Sequence, residues 1–291
     1  HPHTTERNLM RIKITSDSTC DLSPRQVAEN DITIIPLIVM KDGQEFIDGV
    51  TITPEEIFAH VANGGSLCST AARSVGTFQE VFAKYSKEYD AVIHIDIGAD
   101  FSSSYQNACV AAAEFPNVRV IDSRNLSTGQ GHIVMKAVEL SKTMDDLDAI
   151  VEALEDYVPR VEASFLLDRL DYMAKGGRCS SVVALGANLL HLKPCIEVKD
   201  GKMSVVKKYR GHYDKCLANY VEDRLKDRPN LETDLLFVTH TPVTDECMAA
   251  VKEAIAKYGS RFTHVEDTNA GCTVSCHCGP GTLGVLFIRG K

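Results

Sequence analysis

Apolar and polar residues along this chain fall into short runs whose spacing alternates between two and nearly four, the pattern of strands interleaved with helices. Arg11-Ile12-Lys13-Ile14-Thr15 reads as a first strand, followed by the polar turn Ser16-Asp17-Ser18-Thr19. A helix opens at Ser23-Pro24, where the missing N–H of proline is harmless. The run Ile32 to Met40 is a near-continuous apolar strand interrupted at Pro36. Asp42-Gly43 then turns the chain into Glu45-Phe46-Ile47, a hairpin signal. Thr53-Pro54-Glu55-Glu56 has the form of a capping box, and it starts a helix with Ile57, Phe58 and Val61 on one side.

Regular alternation follows. A helix from about Gly76 to Tyr89 precedes the strand Ala91-Val92-Ile93-His94-Ile95, and a small-residue helix then runs through Ala108 to Ala113. Val118-Arg119-Val120-Ile121 is the next strand, and two helices fill Ser127 to Tyr157. This order predicts a parallel sheet covered by helices on both faces. Past Val158-Pro159 the rhythm changes. Ala163 to Leu167 reads as a strand, and Lys193 to Tyr209 as an antiparallel pair turning at Asp200-Gly201. Helices at His212 to Lys226 and Asp245 to Lys257 flank the strand Leu235 to Val238, and Leu283 to Ile288 closes the chain. The expected organisation is a parallel-sheet, Rossmann-like α/β domain over residues 10–160 and a mixed α+β domain over 161–291. Residues 1–9 lack the apolar stretch of a secretory signal and read as a tag remnant or loose arm before Met10.

Composition narrows the function. A net charge of -9 over 291 residues argues against a general nucleic-acid binder. No apolar run approaches the length of a membrane span, so a cytoplasmic protein with at most transient membrane contact is expected. The ten cysteines sit mostly in apolar stretches, where they behave as small hydrophobes and read as reduced thiols. Cys272, Cys276 and Cys278 cluster around His277, but paired Cys-x2-Cys spacing is missing, so no metal site is assigned.

Ligands of parallel sheets bind beyond the carboxyl ends of the strands. The segments assigned there are rich in hydroxyls: Ser16 to Thr19, Ser69-Thr70-Ala71-Ala72-Arg73-Ser74, Ser102-Ser103-Ser104 and Asp122-Ser123. Each taken alone is explained by helix capping; together at one edge they suit an anion or a polar head group. Leu170-Asp171-Tyr172 with Lys175-Gly176-Gly177-Arg178 adds cations beside glycines, and Gly176-Gly177 is also a plain helix stop. His277-Cys278-Gly279-Pro280-Gly281 reads as a rigid loop presenting a histidine.

These segments, with Asp17-Ser18-Thr19-Cys20-Asp21-Leu22, Ile35-Pro36-Leu37, Asp48-Gly49 and Val120-Ile121-Asp122-Ser123, resemble the DegV family from Arg11 to the chain end. The resemblance implies the two-domain DegV (EDD-type) fold and a long-chain fatty acid buried between the domains, with no other cofactor. It implies that Thr70 and Ser102 hydrogen-bond the carboxylate, with Arg178 and His277 close by. Ser103, Ser104 and Gly279 complete the expected ligand-binding set. It also implies a non-enzymatic role in phospholipid synthesis, presenting the acid to an ATP-dependent fatty acid kinase that makes an acyl phosphate. Two departures stand beside that site. Ser102-Ser103-Ser104-Tyr105 replaces the family's Ser-Gly-Thr-Tyr, and Thr70-Ala71-Ala72-Arg73 replaces Thr-Ser-Gln-Pro.

Two other classes were weighed. A serine-dependent acyl hydrolase would use Ser102 as nucleophile and His277 as base, but the chain has no Gly-x-Ser-x-Gly elbow and no evident acid to orient His277. A nucleotide-binding module would need a phosphate loop, and no Gly-x-x-x-x-Gly-Lys-[Ser/Thr] or Gly-x-Gly-x-x-Gly motif follows the first strand.

Overall fold

The computed structural model describes residues 9–185 and 191–291. In chain order, β1 (Ile12–Asp17) leads through a 3-10 turn into α1 (Pro24–Glu29), β2 (Thr33–Ile35), β3 (Ile38–Lys41) and β4 (Gln44–Ile47). Then come α2 (Pro54–Ala62), β5 (Ser69–Ala71), α3 (Val75–Glu88), β6 (Ala91–Asp96) and α4 (Ser104–Ala112). β7 (Val118–Asp122), α5 (Ser127–Ser141), α6 (Leu147–Tyr157) and β8 (Val161–Leu166) follow. The last part holds α7 (Asp171–Gly176), α8 (Ser180–Leu185), β9 (Leu192–Lys199), β10 (Lys202–Arg210) and α9 (Tyr213–Leu225). It ends with β11 (Leu235–His240), α10 (Asp245–Tyr258), β12 (His264–Asn269), α11 (Cys272–Cys278) and β13 (Leu283–Ile288).

The predicted parallel sheet has the order β2-β1-β6-β7. A second, mixed sheet runs β10-β9-β8-β13-β11-β12, antiparallel except for the pair β11 and β12, which the crossover through α10 makes parallel. A small antiparallel sheet, β4-β3-β5, stands apart from both. Pro36 accounts for it. Proline offers no N–H to a ladder, so the apolar run from Ile32 becomes two strands in two sheets rather than one interrupted strand.

Local signals held with small changes. Ser23 and Gln26 form a reciprocal capping box. Thr53 caps α2 through the Glu56 N–H, but the Glu56 carboxylate takes its bond from the Thr53 hydroxyl instead of the Thr53 backbone, so the box is open on one side.

α5 lies between the parallel sheet and the mixed one. Residues 127–134 of this helix are all buried, and His132 bonds the carbonyl of Leu286 on β13 at 2.8 Å. One core cluster therefore joins Ile14, Ile93 and Ile121 of the first sheet to Ala163, Ile196 and Leu286 of the second. No helix among the described residues is long and apolar enough to cross a membrane.

Candidate functional site

A short helix, α11, brings Thr273, Val274 and His277 to the site, and three hydroxyl and acid motifs of the first half hold its start. Asp21 accepts from the Gly271 N–H at 2.9 Å, and Asp48 accepts from the Cys272 N–H at 3.3 Å. Ser18 donates to Asp48 at 2.6 Å while accepting from the Leu37 N–H, and Ser127 donates to Asp21 at 2.8 Å. Burial pushes the Asp21 carboxyl up to about 8. The Asp17 to Asp21 and Asp48-Gly49 segments thus position a helix; they do not touch a ligand space.

His277 is the last residue but one of α11, not part of the glycine-bounded loop that the sequence suggested. Its Nε2 lies 2.8 Å from Thr70 Oγ1 on β5. On its other side, a Cβ at Gly176 would stand 2.9 Å from Nδ1, so the absence of a side chain there lets α7 close on the ring. Burial, with help from the Arg178 charge, lowers the His277 pKa to about 4. The imidazole is neutral at pH 7.

Thr70, Ser102, Arg178 and His277 line one cavity enclosing about 510 Å³ of unfilled space, mouth included. Phe101, Met173 and Met203 supply apolar walls. Ser102 Oγ accepts from the Ser104 N–H at 3.1 Å, which leaves its own proton free to donate. Arg178 bonds the carbonyls of Phe101 and Gly176, at 3.2 and 3.1 Å, and stands at the solvent side. Thr273, which the sequence reading did not single out, also lines the cavity; it is buried, and its hydroxyl has no partner among the described residues.

A second, narrow cavity continues from the first, because Leu126 and Val274 line both. It passes between α5 and the mixed sheet, against Ala163, Phe165, Val198 and Leu286. Several hydroxyls border it, but they are already paired. Thr239 bonds Thr128 and Thr268 at 2.6 and 2.8 Å, and Thr241 and Thr282 bond the Gly279 carbonyl. Hydroxyls satisfied in this way place no demand on water, so the space is apolar in effect.

Three expected site residues fall outside both cavities. Ser103 is exposed at the start of α4 without a capping bond. Ser104 is buried and donates to Asp96 at 3.0 Å. Gly279 forms the turn after α11 with φ 80, and a Cβ there would meet the Tyr172 ring at 2.7 Å; its role is to shape the chain. Of the hydroxyl-rich loops, Asp122 and Ser123 accept from the Arg124 and Asn125 N–H groups of their own turn, and Asp122 also accepts from the Ala99 N–H. Beside them lies a buried cluster in which Asp17 is pushed up to about 7 and Asp96 to about 8, both chiefly by burial, with His94 bonded to Asp96 at 2.7 Å.

A nucleophile and base are not assembled. The partner of His277 is Thr70, the Ser102 oxygen is bonded to a backbone N–H, and no carboxylate bonds His277 Nδ1 among the described residues. That group of residues likewise contains no cluster of His, Cys, Asp or Glu that could hold a metal ion.

Comparison with known proteins gives matches over nearly the whole chain. The family model described as "uncharacterised protein, DegV family" matches residues 11–290. A DegV domain-containing protein of Clostridium acetobutylicum is 33% identical over 283 residues, covering 96% of this chain and 99% of its own. One from Caldanaerobacter subterraneus is 30% identical, covering 95% and 98%. Among solved structures, a DegV family protein from Thermus thermophilus described for its fatty acid binding superposes with a TM-score of 0.87 at 28% identity, covering 96% of this chain and 100% of its own. A stearic acid-binding protein from Eubacterium ventriosum gives 0.80 at 26% identity, covering 96% and 98%.

Proposed function

The chain belongs to the DegV family, and from that we propose that it is a lipid-binding protein that buries one long-chain fatty acid, carboxylate first at the His277 end. The observation that carries this reading is the pairing of a pocket in which Thr70, Ser102, His277 and the unpartnered hydroxyl of Thr273 meet among apolar walls with an apolar continuation past Val274. A buried carboxylate is costly unless donors meet it. With the His277 proton on Nε2, the ring donates to Thr70, and the Thr70, Ser102 and Thr273 hydroxyls are free to donate to the ligand. Arg178 adds charge at the rim. Burial of the tail contributes about 0.8 kcal/mol per methylene, roughly 10 kcal/mol for a C16 chain before ordering costs. The fatty acid binding described for the Thermus thermophilus and Eubacterium ventriosum proteins supports the same reading.

In this account the protein does no chemistry itself. It presents the bound acid to a fatty acid kinase, and the exposed Lys175 and Arg178 beside the mouth supply charge for that encounter. Ser103 faces solvent, Ala71 lines the cavity, and Arg73 turns to the Pro36 carbonyl at 3.3 Å.

Native mass spectrometry followed by organic extraction tests the proposal. The expected result is a mass excess of one fatty acid per chain, released on extraction. A protein that arrives empty and takes up no added palmitate or oleate contradicts it.

Binding should also depend on pH. The free His277 stays neutral down to about pH 4, and a carboxylate beside it raises its pKa in the complex. Binding then takes up a proton between those two values, so affinity rises as pH falls through the raised value towards about 4. Calorimetry in two buffers of different ionisation enthalpy reads that uptake. A flat profile with no proton uptake would place the carboxylate away from His277.

A further inference from the structure

The head-group pair Thr70 and His277 has a second pair of residues behind it. Cys68 precedes Thr70 by two positions, just before β5 begins, and Cys276 precedes His277 on α11. Both cysteines are buried in one cluster with Val39, Ile52, Ile57 and Cys272. β5, which Cys68 precedes, packs against α11 through the Thr70 to His277 contact. Cys272, one turn earlier on the helix, is engaged elsewhere, donating to the Ile52 carbonyl at 3.6 Å. We propose that Cys68 and Cys276 form a reversible redox couple whose disulfide displaces Thr70 from His277 and weakens ligand binding; the second half rests on the fatty acid reading above.

The environment divides the roles. Donation from Cys276 and attraction by Lys41 draw the Cys68 thiol down to about 7, while Cys276 is pushed well up. Cys68 is therefore the attacking thiolate. It stands close in the chain to the exposed residues Asn63, Gly64 and Ser66. The Cys68 thiolate attacks a low-molecular-weight disulfide and releases one thiolate. Cys276 then loses its proton to solvent and attacks Cys68 in the mixed disulfide, releasing the second. Two protein thiols are oxidised, and one external disulfide is reduced to two thiols. Bonding pulls β5 and α11 together at this point. The Thr70 to His277 contact, already at 2.8 Å, cannot shorten with it and must turn aside.

The test treats the full chain with oxidised glutathione, maps disulfides by peptide mass spectrometry and measures the palmitate Kd. The expected result is a Cys68–Cys276 link and an affinity loss of about tenfold, the equivalent of one charge-assisted hydrogen bond. Reductant reverses it, and Cys68→Ser and Cys276→Ala are each insensitive. The proposal is overturned if the two stay reduced while the half-exposed Cys109 is modified, or if the linked protein keeps the Kd of the reduced one. Should the reduced protein bind no palmitate, the lipid reading fails separately. The map still decides whether the couple exists, and the His277 ring resonance decides whether oxidation moves the head-group pair; an unmoved resonance also overturns the proposal.

Discussion

Val274→Phe is expected to lower affinity for C16 and C18 fatty acids by about a thousandfold while leaving octanoate within a few-fold of the parent. Val274 and Leu126 are the residues common to the two cavities, so a phenylalanine ring at 274 fills the passage between them. A short acid needs only the first cavity. A long one loses burial of roughly six to eight methylenes, about 5 kcal/mol or more at 0.8 kcal/mol each. Overpacking of a full core costs about 1–3 kcal/mol, so the melting temperature is read alongside and should fall by no more than that cost implies. Isothermal titration across a chain-length series reads the effect. Equal losses for octanoate and palmitate would mean that the tail does not take this route.

Thr70→Val and Thr273→Val each remove a hydroxyl donor while keeping the shape of the side chain. Either should weaken palmitate binding by about tenfold to a hundredfold, the worth of one hydrogen bond to a buried charged group. The double variant should lose more than either alone. Hexadecanol serves as the control, because it has the same tail and no charge to satisfy. The account predicts that its affinity changes little in either variant. A loss shared equally by acid and alcohol would assign the two threonines to packing.

The sequence made most of the framework legible, and its misses have physical causes. Pro24 and the Ser23–Gln26 box set the start of α1, and Asp42-Gly43 turned β3 into β4, because caps and tight turns are local devices. β5 was hidden, since Ser69-Thr70-Ala71 has neither apolar alternation nor length; only its pairing with β3 makes it a strand. β12 was missed for a similar reason. His264-Val265-Glu266-Asp267-Thr268-Asn269 is a polar edge strand that owes its place to β11.

The site divides along the same line. Thr70, Ser102, Arg178 and His277 were found through motif resemblance, and the structure brings them around one cavity. Proximity in sequence grouped Ser103 and Ser104 with Ser102, but the turn entering α4 sends Ser102 to the cavity, Ser103 to solvent and Ser104 to Asp96. Thr273 carries no local signal at all. Its meaning comes from burial without a partner, which only the packed structure reveals. The same holds for Asp21 and Asp48, whose acceptance of the first N–H groups of α11 joins residues far apart in the chain.

The orientation of the bound chain is the centre of the account, and NMR with palmitate carrying ¹³C at the carboxyl and terminal methyl carbons tests it most directly. The account predicts carboxyl contacts to Thr70, Thr273 and His277, and methyl contacts to Ala163 and Leu286 beyond Val274. A carboxyl seated among Ala163, Phe165 and Leu286, or a ligand with contacts to neither set, would contradict it.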